Sequence, residues 1–416
     1  MHLDRMARVT WTVLNACWLG CAGPAGAAPA PRHPVVRPGI DVILGDSAAL
    51  IRGKRLGLVT NVAAVDANGT GDIARLRQSG MQLVALFAPE HGLTQSAGPG
   101  ERVTSSVDSS TRTPIYSLYG TTTAPTDAML AGIDVLLVDL PDVGARYYTY
   151  LATTVEVMHS AAAHHIPVVI LDRPNPIGGA VQGNVLDPAY ASMVGRLAVP
   201  MRHGLTLGEE ARLARSDLGI DVDLRVIPVS GWRRDQFFDA TGLPFRAPSP
   251  NLQDLEALFD YPGTCLFEGT ALSVGRGTDG AFRQVGAPWL DTAQVLQRIR
   301  RAHLSGVAFA GVTFTPHHPG DGKFADTLVA GVRLAITDRR SFDPTRTALV
   351  MLAAIRAVHP AQIRIGGSFD RLSGGPKLRE ALLRGEDPAG IVASWQAAVR
   401  AYRRRVRPFL LYQPGL

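Results

Sequence analysis

Four apolar runs of strand length, each cut off by polar residues and followed by a helical pattern, constrain this chain most. They lie at 54–60, 83–87, 134–140 and 167–172, with a shorter strand at 114–119. Helical patterns fall between and after them at 72–79, 127–131 and 148–164. Near-continuous Val, Leu and Ile in strands that alternate with helices indicates a parallel sheet buried on both faces. The expectation is an α/β fold. A Rossmann-like parallel-sheet domain over 39–205 precedes a smaller α/β domain over 206–416, with an active-site cleft between them. The second unit is predicted to begin with a helix at 206–216 and a strand at 222–229. Strands at 311–315 and 330–337 and helices at 345–358 and 388–404 complete it. No G-x-G-x-x-G follows the first strand, which removes the main support for a dinucleotide site.

Parallel strands deliver their carboxyl ends to one rim, where ligands of open α/β sheets bind. The first strand ends at Asn61, and the second at Pro89-Glu90-His91-Gly92. The third delivers Asp139, Asp142 and Arg146-Tyr-Tyr-Thr-Tyr150, and the fourth Asp172-Arg173-Pro-Asn175-Pro. An acid beside an imidazole at a strand end is suited to proton transfer. Packing against Phe87 and Pro89 is expected to bury Glu90 and favour its neutral form. Arg146 and Arg173 can hold a carboxylate in a bidentate fork, or pair with Asp142 and Asp172 to fix their own loops. Tyr147, Tyr148 and Tyr150 divide between packing and presenting a hydroxyl or ring to a sugar.

Loops rich in Pro, Gly and Arg fill the second half. Among them are Pro248-Ser-Pro-Asn251 and Ser273-Val-Gly-Arg276-Gly-Thr278-Asp279. The glycines of the latter expose backbone N–H groups, but it lacks the spacing of a phosphate loop. Glu268, Arg276, Thr278 and Asp279 form a polar group able to close over the first-domain rim. His317-His318 with Asp321 lacks helical ligand spacing and reads as a solvated loop. Neither G-x-S-x-G nor H-E-x-x-H occurs, so the common hydrolase and zinc-protease signatures are missing.

The net charge of +6 is spread as scattered arginine without a dense basic run. That argues against a nucleic-acid surface and suits anionic small molecules or carboxylated polymers. Residues 1–27 read as an export signal: Arg5 and Arg8, an apolar stretch over 9–19, then Ala25-Gly-Ala27. Leu14-Asn-Ala-Cys17 resembles a lipoprotein cleavage box, leaving a lipid anchor at Cys17 or Cys21 open. Residues 28–38 read as a Pro/Ala-rich tether. Beyond the signal only Cys265 remains, so no intramolecular disulfide is expected. No later apolar run is long enough to span a bilayer. The expected location is exported, periplasmic or secreted, with a lipoprotein as the variant.

Taken in order, Phe87-Ala-Pro-Glu-His-Gly92, Asp139-Leu-Pro-Asp-Val-Gly-Ala-Arg-Tyr-Tyr-Thr-Tyr150, Leu171-Asp-Arg-Pro-Asn-Pro-Ile-Gly-Gly179 and Arg202-His203-Gly204 form a specific set. Gly231-Trp-Arg-Arg-Asp235, Pro248-Ser-Pro-Asn251 and Ser273-Val-Gly-Arg-Gly-Thr278 extend it. The set resembles the NamZ-type exo-β-N-acetylmuramidases, a glycoside hydrolase family formerly described as a domain of unknown function. The resemblance runs from about Gly39 to Tyr412. It implies release of terminal, non-reducing β-linked N-acetylmuramic acid (MurNAc) from peptidoglycan-derived saccharides such as MurNAc-GlcNAc. It also implies Glu90 as the catalytic acid, and no metal or cofactor.

Under that resemblance His91, Glu268, Tyr147 and Asp139 are the further catalytic candidates. Asn61, Arg146, Asp172, Arg173, Asn175, His203, Asn251, Arg276 and Thr278 are the substrate-binding candidates, with the arginines facing the lactyl carboxylate of muramic acid. The chain departs from the family pattern at Asn61-Val-Ala-Ala64, Thr94-Gln-Ser96, Asp139-Leu-Pro-Asp142 and Glu268-Gly-Thr-Ala271. The amides lost at Val62 and Ala271 bear on which sugar hydroxyls are recognised. Two rivals remain: a non-catalytic exported binding protein for cell-wall sugars, and a metal-dependent hydrolase built on Asp139, Asp142 and His203.

Overall fold

The computed structural model describes residues 35–416. The predicted signal, the two cysteines within it and most of the tether lie outside the described residues. The end of the tether is docked to the body. Val36 is buried with Val229, Trp232 and Tyr412, and Arg37 exchanges backbone hydrogen bonds with Ser230.

Six strands run parallel at the centre: β1 (Arg55–Thr60), β2 (Gln82–Ala88), β4 (Pro114–Ser117), β5 (Val135–Asp139), β6 (Val168–Leu171) and β9 (Leu224–Ile227). With the short edge strand β3 (Ser106–Val107), which is antiparallel to β4, the order is β3-β4-β2-β1-β5-β6-β9. The chain moves outward from β1 through β2 to β4, then returns to β5 on the other side of β1. That reversal is the switch point where such sheets leave a crevice.

The helices over this sheet are α1 (Gly39–Asp46), α2 (Asp72–Gln78), α3 (Asp127–Leu130), α4 (Tyr150–Ala163) and α5 (Leu207–Asp217). Alternation along the strands serves two cores. Leu56, Leu58, Leu137 and Leu171 pack with Ile40 and Ile43 of α1 and Leu76 of α2. Val59, Leu136, Val138 and Ile170 face Val155 of α4 and Leu213 of α5. Burial on both faces is why these strands carry apolar residues at nearly every position.

Strand β9 corrects one expectation. The sequence puts the run at 222–229 in the second unit, yet β9 pairs in parallel with β6, Val168 opposite Leu224 and Leu171 opposite Ile227. The first sheet therefore extends past the boundary predicted at 205. The physical reason is that α5 is a crossover helix returning the chain to the same sheet.

The remaining strands form two small antiparallel sheets. One pairs β7 (Gln182–Val185) with β8 (Pro200–Arg202). The other, in the order β10-β12-β11, contains β10 (Gln284–Ala287), β11 (Val307–Phe314) and β12 (Val329–Ile336). Around them lie α6 (Leu255–Thr264), α7 (Thr292–Arg300), α8 (Pro344–Val358), α9 (Gly367–Ser373), α10 (Lys377–Arg384) and α11 (Pro388–Val406). Helix α6 runs through Tyr261-Pro262-Gly263, residue types that ordinarily break a helix. Gly263 is needed there: a Cβ would lie 2.0 Å from the Pro344 carbonyl oxygen of α8.

Candidate active site

A cavity of about 600 Å³ opens beside the end of β2, within the size range of small-ligand sites. The first half of the chain contributes Glu90, His91, Pro99, Gly100, Tyr119 and Tyr147 to Thr149, among others. The second half adds Tyr261, Cys265, Glu268, Arg276, Phe282, Asp321, Ser368 and Arg371.

Glu90 is half-buried at the strand end, and its carboxylate is held at both oxygens. The Gly100 N–H donates to Oε1 at 3.0 Å, and the Thr149 hydroxyl donates to Oε2 at 2.7 Å. Phe87 does not enclose it as expected, because that ring points into the core against Tyr116. Close by, burial and the Glu90 carboxylate push the Tyr119 hydroxyl up to about 12.

His91 adopts left-handed backbone with φ of 70° and is buried. Its Nδ1 lies 3.0 Å from the Ala97 carbonyl oxygen, which can only accept, so Nδ1 carries the proton. In that tautomer Nε2 is an acceptor. Above it, Pro99 packs so closely on Gly320 that a Cβ there would come within 2.9 Å of the proline ring. Loops from the two halves of the chain thus meet over the cavity.

Across it, Glu268 stands on a 3-10 turn, Cys265–Gly269. Its Oε1 accepts from Arg276 Nε at 2.6 Å, and Oε2 lies 3.6 Å from the Cys265 sulfur. Arg276 stacks over Phe282. The Lys323 ammonium donates to the Glu268 and Leu272 carbonyls at 2.9 and 3.1 Å, which pins the turn. Burial pushes the Asp321 carboxyl up, and its Oδ1 accepts from the Lys323 N–H. Tyr147 lines the cavity but donates its hydroxyl to the Pro262 carbonyl, and burial raises it far above the usual phenol range.

Of the catalytic candidates, Glu90, His91, Glu268 and Tyr147 meet at the cavity. Asp139 does not. It is fully buried and ion-paired with Arg173, whose Nη2 donates to Oδ2 at 2.9 Å while Nη1 donates to the Val65 carbonyl. This pair, together with Asp72 bound by the Thr60 hydroxyl, occupies the ends of β1 and β5. The switch-point crevice is thereby reduced to a small pocket of about 40 Å³ lined by Val65, Asp142 and Arg173, and the larger cavity lies over toward β2.

Arg276 is the one binding candidate that lines the cavity. Asn61 instead donates to the Tyr150 hydroxyl at 2.5 Å and accepts from the Ala63 N–H. Arg146 is buried and donates to the carbonyls of Asn184, Val199 and Leu372 rather than to Asp142. Asp172 caps α5, accepting from the Gly208 N–H and the hydroxyls of Thr206 and Tyr412; burial pushes it up to about 6. Asn175 bridges the Leu205 carbonyl and the Ile177 N–H. Thr278 closes its own turn through the Gly275 carbonyl and the Gly280 N–H. Asn251 is half-buried outside the cavity, although its neighbour Ser249 lines it. Apart from Asn251, each of these polar side chains is satisfied by other protein groups.

His203 lies in a buried cluster, its Nε2 at 3.7 Å from Asp142 Oδ2 and 3.6 Å from Glu210 Oε1. These three residues have metal-ligand spacing. However, His203 Nδ1 accepts from the Leu205 N–H at 3.2 Å, so the neutral ring carries its proton on Nε2. The lone pair a metal would need is on the other nitrogen. Burial raises Asp142 to about 6 and Glu210 well above the carboxylate range, and lowers His203 to about 3, which suits a neutral imidazole beside a protonated Glu210. His317 pairs with Asp326 on the surface, in keeping with a solvated loop.

The sequence does not single out Tyr119, Thr149 or Arg371, and it reads Asp321 as part of a solvated loop. Thr149 was legible only as a member of the tyrosine run. The others lie in loops or a short helix without periodicity, where orientation is set by tertiary packing.

Comparison with known proteins agrees with this architecture. Family models for the N-terminal and C-terminal parts of the exo-beta-N-acetylmuramidase NamZ match residues 56–256 and 259–412. The chain is 38% identical over 395 residues to the peptidoglycan beta-N-acetylmuramidase NamZ of Bacillus subtilis, covering 94% of this chain and 95% of that protein. Crystal structures of two DUF1343 family proteins from Bacteroides fragilis superpose with TM-scores of 0.84 and 0.75, at 30% and 29% identity. In both, 92% of this chain and 100% of the other are covered. The α/β fold, the ordered motifs and these matches over nearly the whole described chain place it in the NamZ exo-β-N-acetylmuramidase family.

Proposed function

We infer that this chain is an exo-acting glycoside hydrolase that releases terminal β-linked MurNAc from peptidoglycan fragments, with Glu90 as general acid. The observation that carries the catalytic assignment is a carboxyl at the cavity wall, fixed by one partner that can only donate and one that can do either. The Gly100 N–H keeps Oε1 an acceptor. The Thr149 hydroxyl can reverse and accept, so Oε2 is the oxygen able to carry and deliver a proton. His91 Nε2 offers an acceptor to a sugar hydroxyl on the same side.

Glu268 and Asp321 are the other carboxyl groups of the cavity, and one of them, or the substrate's own acetamido group, faces the anomeric carbon. Incubation of the mature protein with MurNAc-GlcNAc tests the reading. Free MurNAc in equimolar amount with GlcNAc is the expected result; an intact disaccharide overturns it. Following the first-formed anomer by NMR separates retention from inversion.

The export reading of residues 1–27 belongs to the same proposal, since its substrate is a wall polymer. N-terminal sequencing of the mature protein from a fractionated cell tests it: a start near residue 28 supports simple cleavage, and a blocked Cys17 or Cys21 in the lipid phase supports an anchor. An unprocessed Met1 in the cytosol overturns export.

A further inference from the structure

We propose that Arg371 is the residue that binds the lactyl carboxylate of the substrate and so sets the preference for muramic over glucosaminyl sugars. The proposal rests on the glycosidase reading given above. An anionic sugar entering this cavity meets three carboxyl groups, Glu90, Glu268 and Asp321. It therefore needs a cation whose charge is not already matched. None of the three arginines expected to serve can do so freely. Arg146 is outside the cavity and occupied by three carbonyls. Arg173 is held by Asp139. Arg276 reaches the cavity but is committed to Glu268.

Arg371 is the cavity-lining arginine that, among the described residues, has neither an ion pair nor a hydrogen bond through its side chain. Its backbone is held with unusual care for an exposed residue. On one side, Asp370 makes a two-point ion pair with Arg379, both contacts at 2.8 Å. On the other, the Leu372 carbonyl accepts from Arg146 at 2.8 Å, and the Ser373 carbonyl accepts from Asn184 at 2.6 Å. A buried arginine is thus spent on positioning the peptide next to a second arginine that is left unmatched. Ser368 and Leu372, from the same short helix, also line the cavity. This arrangement fixes the peptide from which Arg371 reaches the cavity and leaves its planar guanidinium free for a two-pronged carboxylate. The Arg146 signal in the sequence thus acts one step away from the sugar, as a positioning residue.

The test compares wild type, Arg371→Ala and Arg371→Lys on 4-nitrophenyl β-MurNAc and, by calorimetry, on MurNAc and its neutral lactyl methyl ester. The expected loss in kcat/KM for Arg371→Ala is about 10- to 100-fold, carried mostly by KM, the scale of a charge-assisted pair. The preference for acid over ester falls to about unity, while ester binding and the melting temperature stay at wild-type values. Arg371→Lys recovers part of the preference. An acid-to-ester ratio unchanged in Arg371→Ala overturns the assignment while leaving the glycosidase reading intact. Failure of wild type to release MurNAc from MurNAc-GlcNAc overturns that reading and the assignment with it.

Discussion

Thr149 donates its hydroxyl to Glu90 Oε2 at 2.7 Å, joining the residue after two buried tyrosines to the end of a strand 59 positions earlier. The contact aims the carboxyl into the cavity, and it can change direction with the protonation state.

Glu90→Gln keeps the size and the Gly100 contact of the side chain but cannot supply a proton. Turnover of MurNAc-GlcNAc should fall by about 10²- to 10⁴-fold, the usual share of a general acid. Hydrolysis of the 4-nitrophenyl glycoside, whose leaving group needs little protonation, should fall less. Equal losses on both substrates would argue that Glu90 does something other than protonate.

Thr149→Val removes the hydroxyl and leaves the shape. A single hydrogen bond of this kind is worth about 0.5–1.5 kcal/mol, so kcat should drop about 3- to 10-fold with little change in KM. Thr149→Ser should restore most of it. If Thr149→Val is silent in kcat, the contact does not position the acid.

Asp139 is predicted to matter for stability rather than chemistry. Asp139→Ala leaves the Arg173 charge buried without its partner, at a cost of about 3–5 kcal/mol in denaturant unfolding. At a temperature where the variant is still folded, kcat should stay near wild type. A large fall in kcat with unchanged stability would return Asp139 to the catalytic set.

His203 gives a pH dependence with a definite sign. Its folded value is lowered to about 3 from an ordinary 6.5 by burial and by Arg146 and Arg202, with Asp142 and Glu210 facing it. The unfolded chain binds the extra proton first, so this contribution to stability is present above about pH 6.5 and is lost as pH falls toward 3. On lowering the pH from 7 to 5, wild type should therefore lose about 2 kcal/mol more than His203→Asn, compared by urea unfolding at each pH. Identical pH slopes for the two proteins would mean that His203 titrates normally in the fold.

The order of elements in the first sheet was legible because strands buried on both faces need apolar residues throughout, and Leu56 to Val59 and Val135 to Val138 supply them. The same logic located Glu90, His91 and Tyr147 at the rim. It also nominated Asp139, Asp172, Arg173 and Asn175, which the fold consumes: two form a buried ion pair, one caps α5 and one closes a turn. Hydrophobic periodicity marks where a strand ends, but not whether its polar terminus finds a partner inside the protein. Arg371 and Asp321 escaped for the opposite reason, since neither follows a strand and only the folding of 317–323 and 366–375 brings them to the cavity.

Three donors converge on one peptide oxygen: the Pro248 carbonyl accepts from Gln95, Tyr148 and Tyr150 at 2.7, 2.7 and 3.0 Å. That oxygen acts as a keystone between the segment after His91, the tyrosine run and the Pro248–Asn251 turn. Displacing any one of the three disturbs the supports of the other two, so the cavity's walls are expected to shift together and not singly when a sugar enters or leaves.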